Sequence, residues 1–97
     1  MAKGYWIGNV DVHDAEAYKA YVAANAVAFA KYGGKFLVRG GQNEVREGSY
    51  ASRLVVIEFK DMETALACFH SPEYQAAKAI REPISSADMV IVEGYEG

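Results

Sequence analysis

Chemistry in this chain would be done by the charged and polar residues set into otherwise apolar segments. Arg39 and Glu58 are the foremost pair. If a tight turn is centred on Gly48-Ser49, the two stand directly opposite on neighbouring strands and project from one sheet face. In a functional reading the Arg39 guanidinium clamps a carboxylate or carbonyl, and Glu58 orients the ligand or takes a proton. In a structural reading, favoured because charge on a covered face is costly unless paired, they form an ion pair that fixes register. A bulge at Gly40-Gly41 would change this pairing. Asn9 falls on the same face and could offer its amide to a ligand or be satisfied by its neighbours. Tyr5, Tyr18 and Tyr21 could line an aromatic pocket with phenol donors, or simply pack in core and interface.

A second cluster comprises His70, Tyr74 and Arg81. Tyr74 and Arg81 lie seven residues apart, hence on one face of a helix, where they could hold an anionic or aromatic ligand at the seam of sheet and helix. The blander alternative is a solvated helix end with Arg81 salt-bridged to an acid. His13 reads as a surface turn residue. Two distant histidines and one cysteine give no metal-ligand spacing. Haem through His70 is a third reading, resting on a single histidine. Ser71 and Cys68 have no evident base, and Cys68 falls on the buried side of its helix. The glycine pairs match neither a phosphate loop nor a dinucleotide fingerprint.

With 97 residues, the chain reads as one domain, 1–97, and its hydrophobic content of 52% exceeds what one small core hides. A net charge of −3 with scattered basic residues argues against nucleic acid or anionic lipid as partner. One cysteine excludes an internal disulfide framework, and no long apolar run marks a signal or a membrane span. A cytoplasmic protein is expected.

The elements that must position these residues come in two similar halves, each strand, helix, strand. Gly4–Val12 reads as a strand, Asp14–Tyr32 as a helix capped by Asp14 and stopped by Gly33-Gly34, and Lys35–Arg39 as a second strand. Leu54–Phe59 is a dense apolar strand. Met62–Arg81 is helical, capped by Asp61 and broken at His70-Ser71-Pro72, where serine and proline start a new helix. A last strand spans Asp88–Gly94. The expected fold is α+β: a βαββαβ unit with a four-stranded antiparallel sheet.

Alternation divides the strand residues into two faces. Trp6, Gly8, Val10, Val12, Phe36, Val38, Val55, Ile57, Phe59, Val90 and Val92 are expected to take the helices. The opposite set holds Asn9, Asp11, Arg39, Glu58 and Glu93, but also Tyr5, Ile7, Leu37, Leu54, Val56, Met89 and Ile91. So much apolar surface is rare on a monomer. At roughly 25 cal/mol per Å², covering it is worth several kcal/mol, which predicts a two-fold homodimer with sheets packed face to face.

Several segments together resemble a known family: Gly4-Tyr5-Trp6, the Tyr18/Tyr21 helix, Tyr32-Gly33-Gly34, Arg39-Gly40-Gly41, Val55–Phe59, Ser71-Pro72-Glu73-Tyr74-Gln75 and Val90–Gly94. The chain is similar over nearly its whole length to the family of domain of unknown function 1330, departing at Lys60, where members often carry proline. The resemblance implies a ferredoxin-like half that pairs as a dimeric α/β barrel. Related superfamilies of that fold include cofactor-free monooxygenases, lactone isomerases and haem-dependent enzymes; this family has no established reaction.

The expected function is therefore small-molecule binding, in its catalytic form a cofactor-independent enzyme acting on an oxygenated or carboxylated organic compound. Arg39 and Glu58 would be catalytic, and Asn9, Tyr18, Tyr21, His70, Tyr74 and Arg81 would bind the substrate. No metal and no cofactor are expected. The alternative is a non-catalytic homodimeric ligand-sensing or stress-related protein, in which the same polar residues only specify assembly.

Overall fold

The computed structural model describes residues 2–97. Its elements are β1 (Gly4–Val12), α1 (Ala15–Tyr32), β2 (Lys35–Arg39), β3 (Arg53–Phe59), α2 (Met62–His70), α3 (Pro72–Arg81), a 3₁₀ turn at Glu82–Ile84, and β4 (Ser85–Glu93). The strands form one antiparallel sheet in the order β2-β3-β1-β4, with the helices on one face, which is the ferredoxin-like βαββαβ arrangement. No helix among the described residues is long and apolar enough to cross a membrane.

The helix boundaries follow from their caps. The Asp14 carboxylate accepts from the Ala17 N–H at 3.0 Å, and Gly33 ends α1 in the left-handed region at φ 70°. The Asp61 carboxylate accepts from the Thr64 N–H at 2.7 Å, and the Thr64 hydroxyl together with that N–H holds Asp61 below its ordinary pKa. Ser71 both ends α2 and starts α3: its hydroxyl donates to the Cys68 carbonyl at 2.7 Å and accepts from the Tyr74 N–H at 3.1 Å. Pro72 fills the first turn of α3, where no N–H is needed.

The core is aromatic and centred on Trp6, which is 2% exposed. Its ring meets Phe29 edge-on at 5.1 Å and Tyr74 at 4.8 Å, and packs against Phe59 at 5.4 Å. The indole N–H is satisfied by the Ala65 carbonyl at 2.8 Å, which ties β1 to α2.

Two parts of the sheet depart from the sequence expectation, both through register. Across β1, Trp6 faces Ile91 and Gly8 faces Met89, so Met89 and Ile91 join the helix side. Val90 and Val92 lie on the open side, 54% and 40% exposed. Four consecutive apolar residues, Met89 to Val92, carry no alternation to read, so only pairing decides their faces. The strand also begins earlier than Asp88, because Ser85 already pairs with Val12. In β2 the register shifts between Phe36 and Val38: Phe36 pairs with Ile57 on the helix side, but Val38 pairs with Val56 on the open side. That irregularity at Leu37, not at Gly40-Gly41, flips the rest of the strand. Pairing of β2 with β3 ends at Arg39 and Val55, so residues 40–52 form an exposed loop and no tight Gly48-Ser49 hairpin forms.

The open face is nonetheless apolar. It carries Tyr5, Ile7, Val38, Leu54, Val56, Val90 and Val92 across the four strands.

Gly4 marks the closest approach of helix and sheet. A Cβ there would lie 2.5 Å from the Asp61 carbonyl oxygen and 2.7 Å from the Met62 Cα, both backbone atoms that cannot rotate away. Gly4→Ala is therefore expected to cost about 1–3 kcal/mol by overpacking. Urea unfolding checks this, and an unchanged midpoint would show that α2 shifts freely on the sheet.

Candidate functional site

Between the sheet and α1/α3 the packing leaves a cavity of about 40 Å³. Helical spacing brings its polar lining together: Tyr18 and Tyr21 lie one turn apart on α1, and Tyr74 and Arg81 two turns apart on α3. β1 supplies Trp6, Gly8 and Val10 from its helix-side face.

The tyrosines touch one another. The Tyr21 and Tyr74 hydroxyls share a 2.9 Å hydrogen bond, and the Tyr18 and Tyr21 rings lie 5.1 Å apart. Burial raises the pKa of the Tyr21 phenol, with the neighbouring Tyr74 adding to the effect; burial likewise raises that of Tyr18, with Tyr21 adding to it. Both remain neutral hydrogen-bonding groups at physiological pH.

Arg81 is the feature that sets this cavity apart. It is only 8% exposed, and its guanidinium lies 5.7 Å from the Tyr21 ring centre. Yet every ion pair among the described residues joins other partners. Neighbouring Lys78 pairs with Glu82 at 3.6 Å, leaving Arg81 without a carboxylate. A buried cation without a counter-charge is disfavoured by several kcal/mol and is relieved by any anion that reaches it.

Arg53 joins this cluster and was not singled out from the sequence. Its guanidinium lies 5.5 Å from the Tyr18 ring centre and reaches the Tyr18 hydroxyl, while its Nε is buried without a partner. Gly40, at φ 65°, makes room for it, since a Cβ there would stand 2.6 Å from Nη1. The signal was present: the alternation that turns Val55 and Ile57 toward the helices turns Arg53 there too.

The remaining sequence candidates are placed elsewhere. Arg39 pairs with Val55 and stacks on Phe36 at 4.2 Å, whereas Glu58 pairs with Lys35. The expected Arg39–Glu58 pair therefore does not form: the register sets Glu58 opposite Lys35, four residues before Arg39, and the shift at Leu37 also turns Arg39 off the face that Glu58 occupies. Glu58 instead accepts from the Tyr5 hydroxyl at 3.4 Å and pairs with Lys3 at 3.7 Å on the open face. Asn9 pins the 40–52 loop: its Oδ1 accepts from the Ala51 N–H at 2.8 Å, and its Nδ2 donates to the Ala51 carbonyl at 3.0 Å and to that of Arg53 at 3.3 Å. His70 is exposed at the end of α2, with its ring edge-on to Phe69 at 5.3 Å, outside the cavity lining. Cys68 is buried, and burial pushes its thiol up to about 12, which makes it a packing residue.

The sequence profile of a domain of unknown function, DUF1330, matches residues 3–95. The chain belongs to that family. No protein of curated function matches it in sequence. Solved structures resemble this DUF1330 chain in fold. The RPA0582 protein of unknown function from Rhodopseudomonas palustris superposes with a TM-score of 0.77 at 16% identity, covering 99% of this chain and 85% of the other. SnoaB, a cofactor-independent oxygenase from Streptomyces nogalater, gives 0.70 at 13% identity, covering 100% and 97%. A dimeric ferredoxin-like protein of unknown function from Thermobifida fusca gives 0.61 at 20% identity, covering 95% and 89%.

If Arg81 is a binding group rather than a structural one, removing its charge should not weaken the fold. Arg81→Met keeps much of the stem, and in carboxylate-free buffer its Tm is expected to equal or exceed that of the wild type. A fall of many degrees would instead make the guanidinium part of the scaffold.

Proposed function

We propose that this DUF1330 protein is a homodimer that binds a small oxygenated or carboxylated organic compound, as its anion, in the cavity between sheet and helices. The unpaired, buried Arg81 carries this reading. A planar guanidinium donates to both oxygens of one carboxylate, and the hydroxyls of Tyr74, Tyr21 and Tyr18 offer further hydrogen bonds beside it. Arg53 adds a second positive charge near Tyr18.

The chemistry such a site supports is stabilisation of an oxygen anion. Among the described residues lining the cavity there is no carboxylate and no imidazole, and the Tyr21 phenol holds its proton tightly. The site is thus suited to a substrate that arrives as a carboxylate or enolate, not to one from which a proton must be pulled. The fold of SnoaB, a cofactor-independent oxygenase, supports chemistry run by protein groups alone. The missing base favours a second reading with the same ligand, non-catalytic sensing.

Dimerisation is supported by the open face, where Tyr5, Ile7, Leu54, Val56, Val90 and Val92 form a continuous apolar surface on the strands. Packing two such faces together leaves the helix-side cavity of each protomer intact. The dimeric Thermobifida fusca protein supports the same assembly.

Native mass spectrometry tests both parts. Wild type is expected at twice the chain mass, with a co-purified small molecule that Arg81→Met loses while remaining dimeric. Val56→Glu is expected to shift the mass to one chain. A monomeric wild type would contradict the assembly, and a ligand retained by Arg81→Met would contradict the site.

A further inference from the structure

Gly8 stands in the middle of the central strand, yet nothing in the backbone requires a glycine there. It is absent from the positive-φ glycines, and the only heavy atom within 4 Å of a Cβ built on it is the Met89 Cγ at 3.9 Å. Its neighbours on the same face, Trp6 and Val10, line the cavity with side chains, whereas Gly8 lines it with none. Glycine within a strand weakens it. Here the missing side chain has one structural consequence, which is the empty volume beside Arg81.

That volume selects by size. A water needs about 10–15 Å³ of such space, and an apolar cavity that takes benzene measures about 150 Å³. The 40 Å³ available here holds about three or four heavy atoms, too few for a six-membered ring. The lining is also of two kinds. Arg81 and the tyrosine hydroxyls supply the donors, while Gly8, Ile57 and Met89 supply none. An inorganic oxyanion would leave acceptors facing the apolar lining, whereas a carboxylate on a short alkyl stub satisfies both.

We infer that the group seated in this cavity is a slender, unbranched carboxylate of the size of acetate, with its oxygens on Arg81 and its carbon toward Gly8. This deepens the proposed function and rests on it. Such a group comes either from a free short-chain acid or from the end of a longer unbranched chain.

Trp6, the only tryptophan, lines the cavity and reports on it by fluorescence. Titrations at constant ionic strength with acetate, octanoate and cyclohexanecarboxylate separate the cases. Saturable quenching by acetate, unimproved by octanoate, assigns a free short acid. Tighter binding of octanoate assigns the chain end. In either case Gly8→Ala is expected to weaken binding at least tenfold while its Tm stays level or rises, and Arg81→Met to abolish it. Preference for cyclohexanecarboxylate, or unchanged affinity in a folded Gly8→Ala variant, would overturn the size inference and leave the Arg81 site standing. No response to any of the three carboxylates would overturn the site itself.

Discussion

The pairing of β1 on both edges is the constraint from which the rest follows. This strand is hydrogen-bonded to β3 from Gly4 to Val10 and to β4 from Gly4 to Val12. Fixed on both sides, it cannot slip without turning its whole apolar set to the wrong face. Trp6, Gly8 and Val10 therefore point together at the helices, and Tyr5, Ile7 and Asn9 point together away from them. The first set builds core and cavity; the second builds the open face and anchors the 40–52 loop through Asn9.

The two faces solve different physical problems. On the helix side, aromatic rings pack around Trp6, and the small cavity beside them is lined by a glycine and a guanidinium. A cation with no acid beside it and a strand with no side chain at its centre both weaken the fold. Their coincidence in one cavity is what the proposed anion would account for. On the open side the surface is mostly apolar, with Glu58 and Asn9 set into it, which suits another sheet. The proposed ligand and the proposed assembly thus fall on opposite faces of the same strands.

Much of this was legible in the sequence. Capping residues Asp14, Asp61 and Ser71 sit where the helices start, and Gly33 ends the first of them in the left-handed conformation. The seven-residue spacing puts Tyr74 and Arg81 on one helix face at the seam of sheet and helix, and there the structure adds Tyr18 and Tyr21 to the same cavity lining. Two things were not legible. The run Met89 to Val92 has no polar residue to mark its outer face, so β4 was read inverted. The register of β2 on β3, which sets Glu58 opposite Lys35, and a one-residue irregularity at Leu37 leave no trace in a short apolar strand, and together they separate Arg39 from Glu58. Both failures concern register, which is set by partners distant in sequence rather than by local pattern.

The central claim is that Arg81, and not Arg39, receives an anion. Nitrogen-15 NMR of the arginine side chains, with each Nε–Hε signal assigned by substitution, observes this directly during titration with acetate. The account predicts a saturable shift of the Arg81 signal, with the Arg39 signal unmoved. A saturable shift at Arg39 with Arg81 silent would contradict it.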